Sequence, residues 1–138
     1  MNGPRRAYDE VMDRVAAPSP ELDLTVVVPV YNERESIEPL CRALHGVLSS
    51  MDRSYEVVLV DDGSTDGSWD ELRRMAAELP RFRSIRLRRN FGQTPAMSAG
   101  IDAARGRIIV TLDADLQNEP ADIPTLLAAM QPDVDVVS

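Results

Sequence analysis

Arg107-Ile108-Ile109-Val110-Thr111-Leu112-Asp113-Ala114-Asp115-Leu116-Gln117 is the stretch that decides the fold. An unbroken apolar and β-branched run, Ile108 to Leu112, ends in an Asp-x-Asp-x-Gln cluster. Such a run suits a strand buried on both faces, as in a parallel sheet. While extended geometry lasts, residues two apart share a face, so Asp113 and Asp115 project together. Two carboxylates and an amide are hard oxygen donors of the kind that Mg2+ or Mn2+ accepts beside a substrate phosphate. Taken alone, the same residues also suit a strand-end acid followed by a turn.

Two further apolar runs end in polar clusters. Val57-Val58-Leu59-Val60 leads into Asp61-Asp62-Gly63-Ser64-Thr65-Asp66-Gly67, and Leu24-Thr25-Val26-Val27-Val28 leads into Pro29-Val30-Tyr31-Asn32-Glu33. Helical spacing follows each strand: Ile37, Leu40, Cys41, Leu44 and Leu48; then Trp69, Leu72, Ala76 and Leu79; later Ile123, Leu126, Leu127 and Met130. Strands alternating with helices predict a Rossmann-like α/β fold, a mostly parallel sheet with helices on both faces. Ligands of such sheets bind outside the carboxyl ends of the strands, at a switch point in strand order. The acidic strand ends are therefore expected to meet in one site.

Phe82 to Arg88 alternates with arginine and reads as a strand with a wet face or a sheet edge. Beyond Arg89-Asn90-Phe91-Gly92-Gln93 comes a small-residue helix from Thr94 to Ala104, with Pro95 in its first turn and Gly106 as its stop. Its Ala96, Ala99 and Gly100 permit close packing on the sheet or close approach of a ligand. A last strand is expected at Val134 to Val137. Ser64 and Asp66 are expected to cap the second helix, with Gly63 and Gly67 in the turn.

Composition narrows the function. The 138 residues suit one domain, with a polar leader, expected to be mobile, over 1–21 and a short helix possible within it from Ala7 to Ala17. No run nears the roughly 18 apolar residues of a membrane span, and Met1 to Pro20 lacks a secretory apolar core. A formal net charge of −8 argues against a nucleic-acid partner. All 15 basic residues are arginine, so neither a P-loop nor a kinase site is available. The first strand is not followed by the Gly-x-Gly-x-x-Gly dinucleotide fingerprint. Cys41 is alone and sits on an apolar stripe, which favours core packing; His45 has no histidine partner for a metal site.

The strings Val28–Glu33, Val60–Asp66, Arg89–Gln93 and Leu112–Pro120 together resemble the family 2 glycosyltransferases, in the branch similar to dolichol-phosphate mannosyltransferase and bacterial undecaprenyl-phosphate sugar transferases. The resemblance covers residues 22–138 and implies the nucleotide-sugar-binding part of a type A glycosyltransferase fold, with the acceptor region and catalytic base outside the chain. It implies an inverting transfer from a UDP- or GDP-sugar to an acceptor, a polyprenyl (lipid) phosphate, with Mg2+ or Mn2+ as cofactor. It places Pro29, Tyr31 and Glu33 at the base and ribose, Asp62 with Asp61 beside it at their edge, and Val60 at a backbone contact. Asp113, Ala114, Asp115 and Gln117 fall at the donor diphosphate and metal, with Asp113, Asp115 and Gln117 as metal ligands. Glu33 equally suits a helix cap, Tyr31 a half-buried aromatic, and Asp61 a turn acid tied to backbone amides. The resemblance further implies a cytoplasmic location, at the membrane face where longer relatives associate, and the open sheet edge invites a homo-oligomer. Two other classes stand beside it: a non-catalytic nucleotide-binding or assembly module, and a haloacid-dehalogenase-like phosphatase. The phosphatase needs its acids at the first strand and a later lysine.

Overall fold

In the computed structural model, which describes residues 22–114, 120–128 and the backbone of Val136–Val137, the strands and helices alternate along the chain. The strands are β1 (Leu22–Val30), β2 (Tyr55–Asp61), β3 (Phe82–Arg86), β4 (Gly106–Thr111) and β5 (Val136–Val137). The helices are α1 (Arg34–Ser50), α2 (Ser68–Glu78), α3 (Gln93–Ala103) and α4 (Ile123–Ala128), with a 3-10 turn at Pro120–Asp122. All pairings are parallel and the order is β3-β2-β1-β4-β5. The chain thus steps outward from β1 to one side through β2 and β3, then crosses back to place β4 on the other side. That reversal is the switch point expected of a Rossmann-like sheet. β3 forms an edge, as its arginine alternation suggests.

Strand alternation divides the core in two. Leu24, Val26, Val28 and Val30 join Val57, Leu59 and Phe82 beneath α1, α2 and α4, whereas Val27, Val58 and Val60 meet Ala96 of α3 on the opposite face. α1 buries Ile37, Leu40, Cys41, Leu44 and Leu48, the stripe its spacing predicts. Each buried large aliphatic there contributes about 1.5–3 kcal/mol. In α2 the buried residues are Ser68, Leu72 and Met75, with Leu79 just beyond its end. Met75 takes the inward place expected of Ala76, because i, i+4 and i+7 from Ser68 define the face that lies on the sheet. α4 buries Ile123 and Leu127; Met130 lies outside the described residues, as do the leader, its Ala7–Ala17 helix and Val134.

α3 packs close against the sheet. A methyl at Gly100 would stand 2.3 Å from Val27 Cγ1 and 3.1 Å from Val60 Cγ2, so the absence of a side chain sets the helix–sheet spacing. Gly106 has a different role from the helix stop expected of it. α3 ends at Ala103 with Ala104 as its cap, and Gly106 opens β4, where a Cβ would meet Leu24 C and Thr25 N of β1 at 2.6 Å. Close approach of two strands, not helix termination, demands glycine there.

Candidate functional site

The pairing register builds the site. β1 runs in register with β2 from Leu24↔Tyr55 to Val30↔Asp61, and with β4 up to Val27↔Thr111. Each ladder continues past its strand: Asp62 N–H donates to Val30 O at 2.8 Å, and Leu112 N–H donates to Val27 O at 3.0 Å. Asp62 and Asp113 are thereby held on opposite flanks of the β1 tip. Between them opens a cleft of about 380 Å3 lined by Pro29, Val30, Tyr31, Glu33, Asp62, Asn90, Gly92, Gln93, Asp113 and Ala114. A cavity of that size at a switch point is suited to a small ligand.

The β1–α1 and β2–α2 loops fasten to each other. Asn32 adopts φ +50°, and its Oδ1 accepts from Thr65 N–H at 2.8 Å while its own N–H donates to Ser64 Oγ at 2.9 Å. Glu33 N–H donates to Ser68 Oγ at 3.1 Å and Arg34 N–H to Asp66 Oδ2 at 3.3 Å. Ser64 therefore braces β1 instead of capping α2, whereas Asp66 does bind the first helical N–H, Ser68, at 3.0 Å. Burial pushes the Asp66 carboxyl up, but hydrogen bonds from the Ser68 hydroxyl and N–H and from Arg34 N–H outweigh it and hold the group below its ordinary value. This scaffold leaves Tyr31 46% exposed at the rim of the cleft.

The paired acids separate into two roles. Asp61 is 0% exposed; both its oxygens accept from Ser64 N–H at 3.3 Å, and Arg86 Nε lies 3.8 Å away. Asp62 faces the cleft but is only 3% exposed, because its carboxylate accepts from Asn90 Nδ2, Phe91 N–H and Gly92 N–H. Neither Asp61 nor Val60, which packs under α3, is among the lining residues. Of the residues expected at the nucleotide, the cleft gathers Pro29, Tyr31, Glu33, Asp62, Asp113 and Ala114. Glu33 is the residue before α1, yet its side chain makes no capping bond; Oε2 accepts from Ser36 Oγ at 3.3 Å.

Four lining residues had been given no role: Val30, Asn90, Gly92 and Gln93, although all four lie in strings that carry the family resemblance. Gly92, at φ +109°, turns the chain into α3 so that Gln93 Nε2 donates to Asp113 Oδ1 at 2.9 Å. The available signal was a glycine followed by an amide just before a helix. Arg89 stacks its guanidinium 4.4 Å from the Phe91 ring centre, next to the cleft.

Asp113 suits a divalent cation. Asp113 is a hard donor at the strand end, and Mg2+ or Mn2+ is ordinarily held by one or two carboxylates, with phosphate oxygens and water completing the shell. Asp115 and Gln117, the other expected ligands, lie outside the described residues. Among the described residues no cluster of three His, Cys, Asp or Glu side chains could hold an ion by itself.

The parallel sheet, its switch point and the acid-flanked cleft define a type A glycosyltransferase fold. Two solved structures share it: a mannosyltransferase from Pyrobaculum calidifontis in complex with GDP-Man and Mn2+ (TM-score 0.59, 28% identity, covering 78% of this chain and 34% of that one), and S. aureus TarS 1-349 in complex with UDP-GlcNAc (TM-score 0.64, 25% identity, 78% and 30%). The family model for glycosyl transferase family 2 matches residues 25–138, and the chain belongs to that family. It is 45% identical over 115 residues to the dodecaprenyl-phosphate galacturonate synthase of Rhizobium johnstonii, covering 83% of this chain and 34% of the relative. It is 44% identical over 122 residues to the undecaprenyl-phosphate 4-deoxy-4-formamido-L-arabinose transferase of Pseudomonas syringae pv. syringae, covering 87% and 36%. The chain thus spans about a third of the length of these relatives. Membership in this family sets the phosphatase reading aside. Among the described residues no helix is long and apolar enough to cross a membrane.

Proposed function

We propose that this chain is the donor-binding part of an inverting, metal-dependent glycosyltransferase that moves a sugar from a UDP- or GDP-sugar to a polyprenyl phosphate at the cytoplasmic face of a membrane. The observation that carries this reading is the convergence of the β1, β2 and β4 tips on one cleft, with Asp113 on its wall. The names of the two relatives, both of which specify a polyprenyl phosphate, support the acceptor. The GDP-Man, Mn2+ and UDP-GlcNAc complexes of the two structural neighbours support the donor and the ion.

In this reading Tyr31 offers its exposed ring to the base, Glu33 accepts from the ribose, and Asp113, Asp115 and Gln117 hold the ion. The anomeric carbon becomes cationic as the nucleoside diphosphate departs, and negative charge gathers on the departing oxygens. A bound Mg2+ or Mn2+ supplies Lewis-acid stabilisation of that charge. The acidic walls suit a diphosphate only with such an ion between them, since carboxylates and phosphates otherwise repel. Attack from the face opposite the leaving group inverts the anomeric centre. A phosphate acceptor, with a second pKa of about 6, is already largely anionic at neutral pH and needs no strong general base.

Calorimetric titration of the chain with UDP and GDP, with and without Mn2+, tests the donor site. Saturable binding that strengthens on adding Mn2+ is expected for at least one nucleotide. Heats indistinguishable from buffer for both would end the reading.

A further inference from the structure

The side-chain amide of Gln93 reaches the acid at the β4 tip from a fixed point. Asp62 accepts from Phe91 N–H at 2.8 Å and from Gly92 N–H at 3.0 Å, which holds the loop ahead of α3 against the β2 tip. A Cβ at Gly63 would lie 2.3 Å from Arg89 C and Asn90 N, so the same loop also rests on glycine backbone. Gly92 then turns at φ +109° into Gln93, the first residue of α3. Gln93 Nε2 donates to Asp113 Oδ1 at 2.9 Å, and because a carboxylate only accepts, the NH2 end of the amide must face it. Gln93 is exposed and belongs to neither core cluster.

The charge of the cleft gives this amide its importance. Glu33, Asp62 and Asp113 are the only charged residues among those described along the wall, and all three are acids. A neutral donor orients Asp113 without cancelling its charge. A cation in the same place would pair with the carboxylate and compete with a metal ion for it.

We infer that Gln93 is a positioning residue that sets the metal dependence of the donor site: it holds Asp113 by Oδ1, leaves Oδ2 to meet an ion, and keeps the wall acidic, so that a diphosphate enters with a divalent cation. Without the amide, the Asp113 side chain is free to turn among its rotamers, and ordering it again on binding costs affinity. The inference rests on the donor-site reading for its ligand, whereas the pairing of Gln93 with Asp113 needs none.

Calorimetry with UDP and GDP, in Mn2+ and in EDTA, tests this on the whole chain. In Gln93→Ala, affinity in Mn2+ should fall about three- to tenfold, the range spanned by one hydrogen bond, with affinity in EDTA unchanged. The Mn2+ concentration that half-saturates nucleotide binding should rise by the same factor. In Gln93→Lys, affinity in EDTA should rise, and the gain on adding Mn2+ should shrink by roughly threefold or more, because the ammonium supplies charge that the ion otherwise brings. Adding Gln93→Ala to Asp113→Ala should cost nothing further, since the amide acts through that acid. Additive losses would make Gln93 a direct ligand of the nucleotide and overturn the inference. Equal losses with and without metal in Gln93→Ala, or an unmoved Mn2+ dependence in both variants, would overturn it as well. A wild-type chain that binds neither nucleotide overturns the donor-site reading instead. The NMR signals of the Gln93 side-chain NH2 then decide the pairing alone: a shift in Asp113→Ala keeps Gln93 as the residue that positions the acid, and no shift removes it.

Discussion

Gln93 and Asp113, twenty residues apart, meet through a 2.9 Å hydrogen bond that joins the first residue of α3 to the acid just beyond β4. The bond uses Oδ1. Oδ2 accepts no hydrogen bond from the described residues, which leaves an oxygen for an ion at the cleft wall. Asp113→Ala should therefore weaken Mn2+-dependent UDP or GDP binding at least tenfold, about 1.4 kcal/mol. Asp115→Ala, on the strength of the Asp-x-Asp pattern, should do the same. Calorimetry in Mn2+ checks both, and an unchanged affinity removes the residue from the site.

Glu56 anchors the opposite end of the sheet. It is 4% exposed and accepts from Thr25 Oγ1 at 2.8 Å, Arg105 N–H at 2.7 Å and Arg83 Nε at 3.0 Å. Arg83 donates onward to the Ala103 carbonyl, and Thr25 Oγ1 accepts from Gly106 N–H at 2.9 Å. One carboxylate thus links β1, β2, β3 and the α3–β4 turn. Glu56→Ala should cost about 3 kcal/mol, because buried donors lose their acceptor. Glu56→Gln should cost less. Urea unfolding measures both, and a loss below about 1 kcal/mol for the alanine would show that water replaces the network.

What the sequence made legible follows physical range. The α1 stripe from Ile37 to Leu48 and the tips at Tyr31, Asp62 and Asp113 rest on local periodicity and on where parallel strands end, so they could be read directly. Gln93 and Asn90 stood in one of the strings that carry the resemblance, but their contacts could not be read. Their partners lie twenty and twenty-eight residues away, brought close only by the strand order and the α3 crossover. Asp62 lines the cleft, but its burial depends on a loop whose course no periodicity encodes. Gly106 failed for a related reason: its neighbour across the sheet, Leu24, is invisible to a reading along the chain.

Acid should loosen the loop scaffold through Asp66. Its folded pKa lies below the ordinary aspartate value of about 3.9, so its stabilising contribution is complete above about pH 5 and is lost as pH falls below about 4. Asp66→Asn should be less stable than wild type at pH 7, with the gap narrowing as pH falls below the ordinary aspartate range. Urea midpoints at several pH values test this. A gap that persists in acid would mean that the charge of Asp66 is not what holds Ser68 and Arg34.

Cys41 should be inert while the chain is folded. The residue is 1% exposed, and burial, followed by the nearby Glu71, pushes its thiol up to about 12. The thiolate is the reactive species, so at pH 8 only about one molecule in ten thousand carries it. A chromogenic disulfide reagent should therefore label Cys41 only at the rate of unfolding, and at once in concentrated guanidinium. Rapid labelling of the folded chain would show that α1 opens locally.

Two glycine-to-alanine changes should act in opposite directions. Gly46 lies within α1 with no heavy atom near the place of an added Cβ, so Gly46→Ala removes backbone freedom from the unfolded chain at no steric cost. It should stabilise by about 0.5–1 kcal/mol. Gly106→Ala puts its methyl 2.6 Å from the β1 backbone at Leu24 and Thr25 and 2.8 Å from Thr25 Oγ1. Backbone on both sides cannot yield, so β4 must shift away from β1 and strain the Gly106 N–H bond to Thr25. The cost should be about 1–3 kcal/mol. Because β4 carries Asp113 at its far end, the same shift should weaken Mn2+-dependent nucleotide binding, which Gly46→Ala leaves alone. Paired urea unfolding and calorimetry on the two variants measure both effects, and equal signs in stability would contradict the close β1–β4 approach.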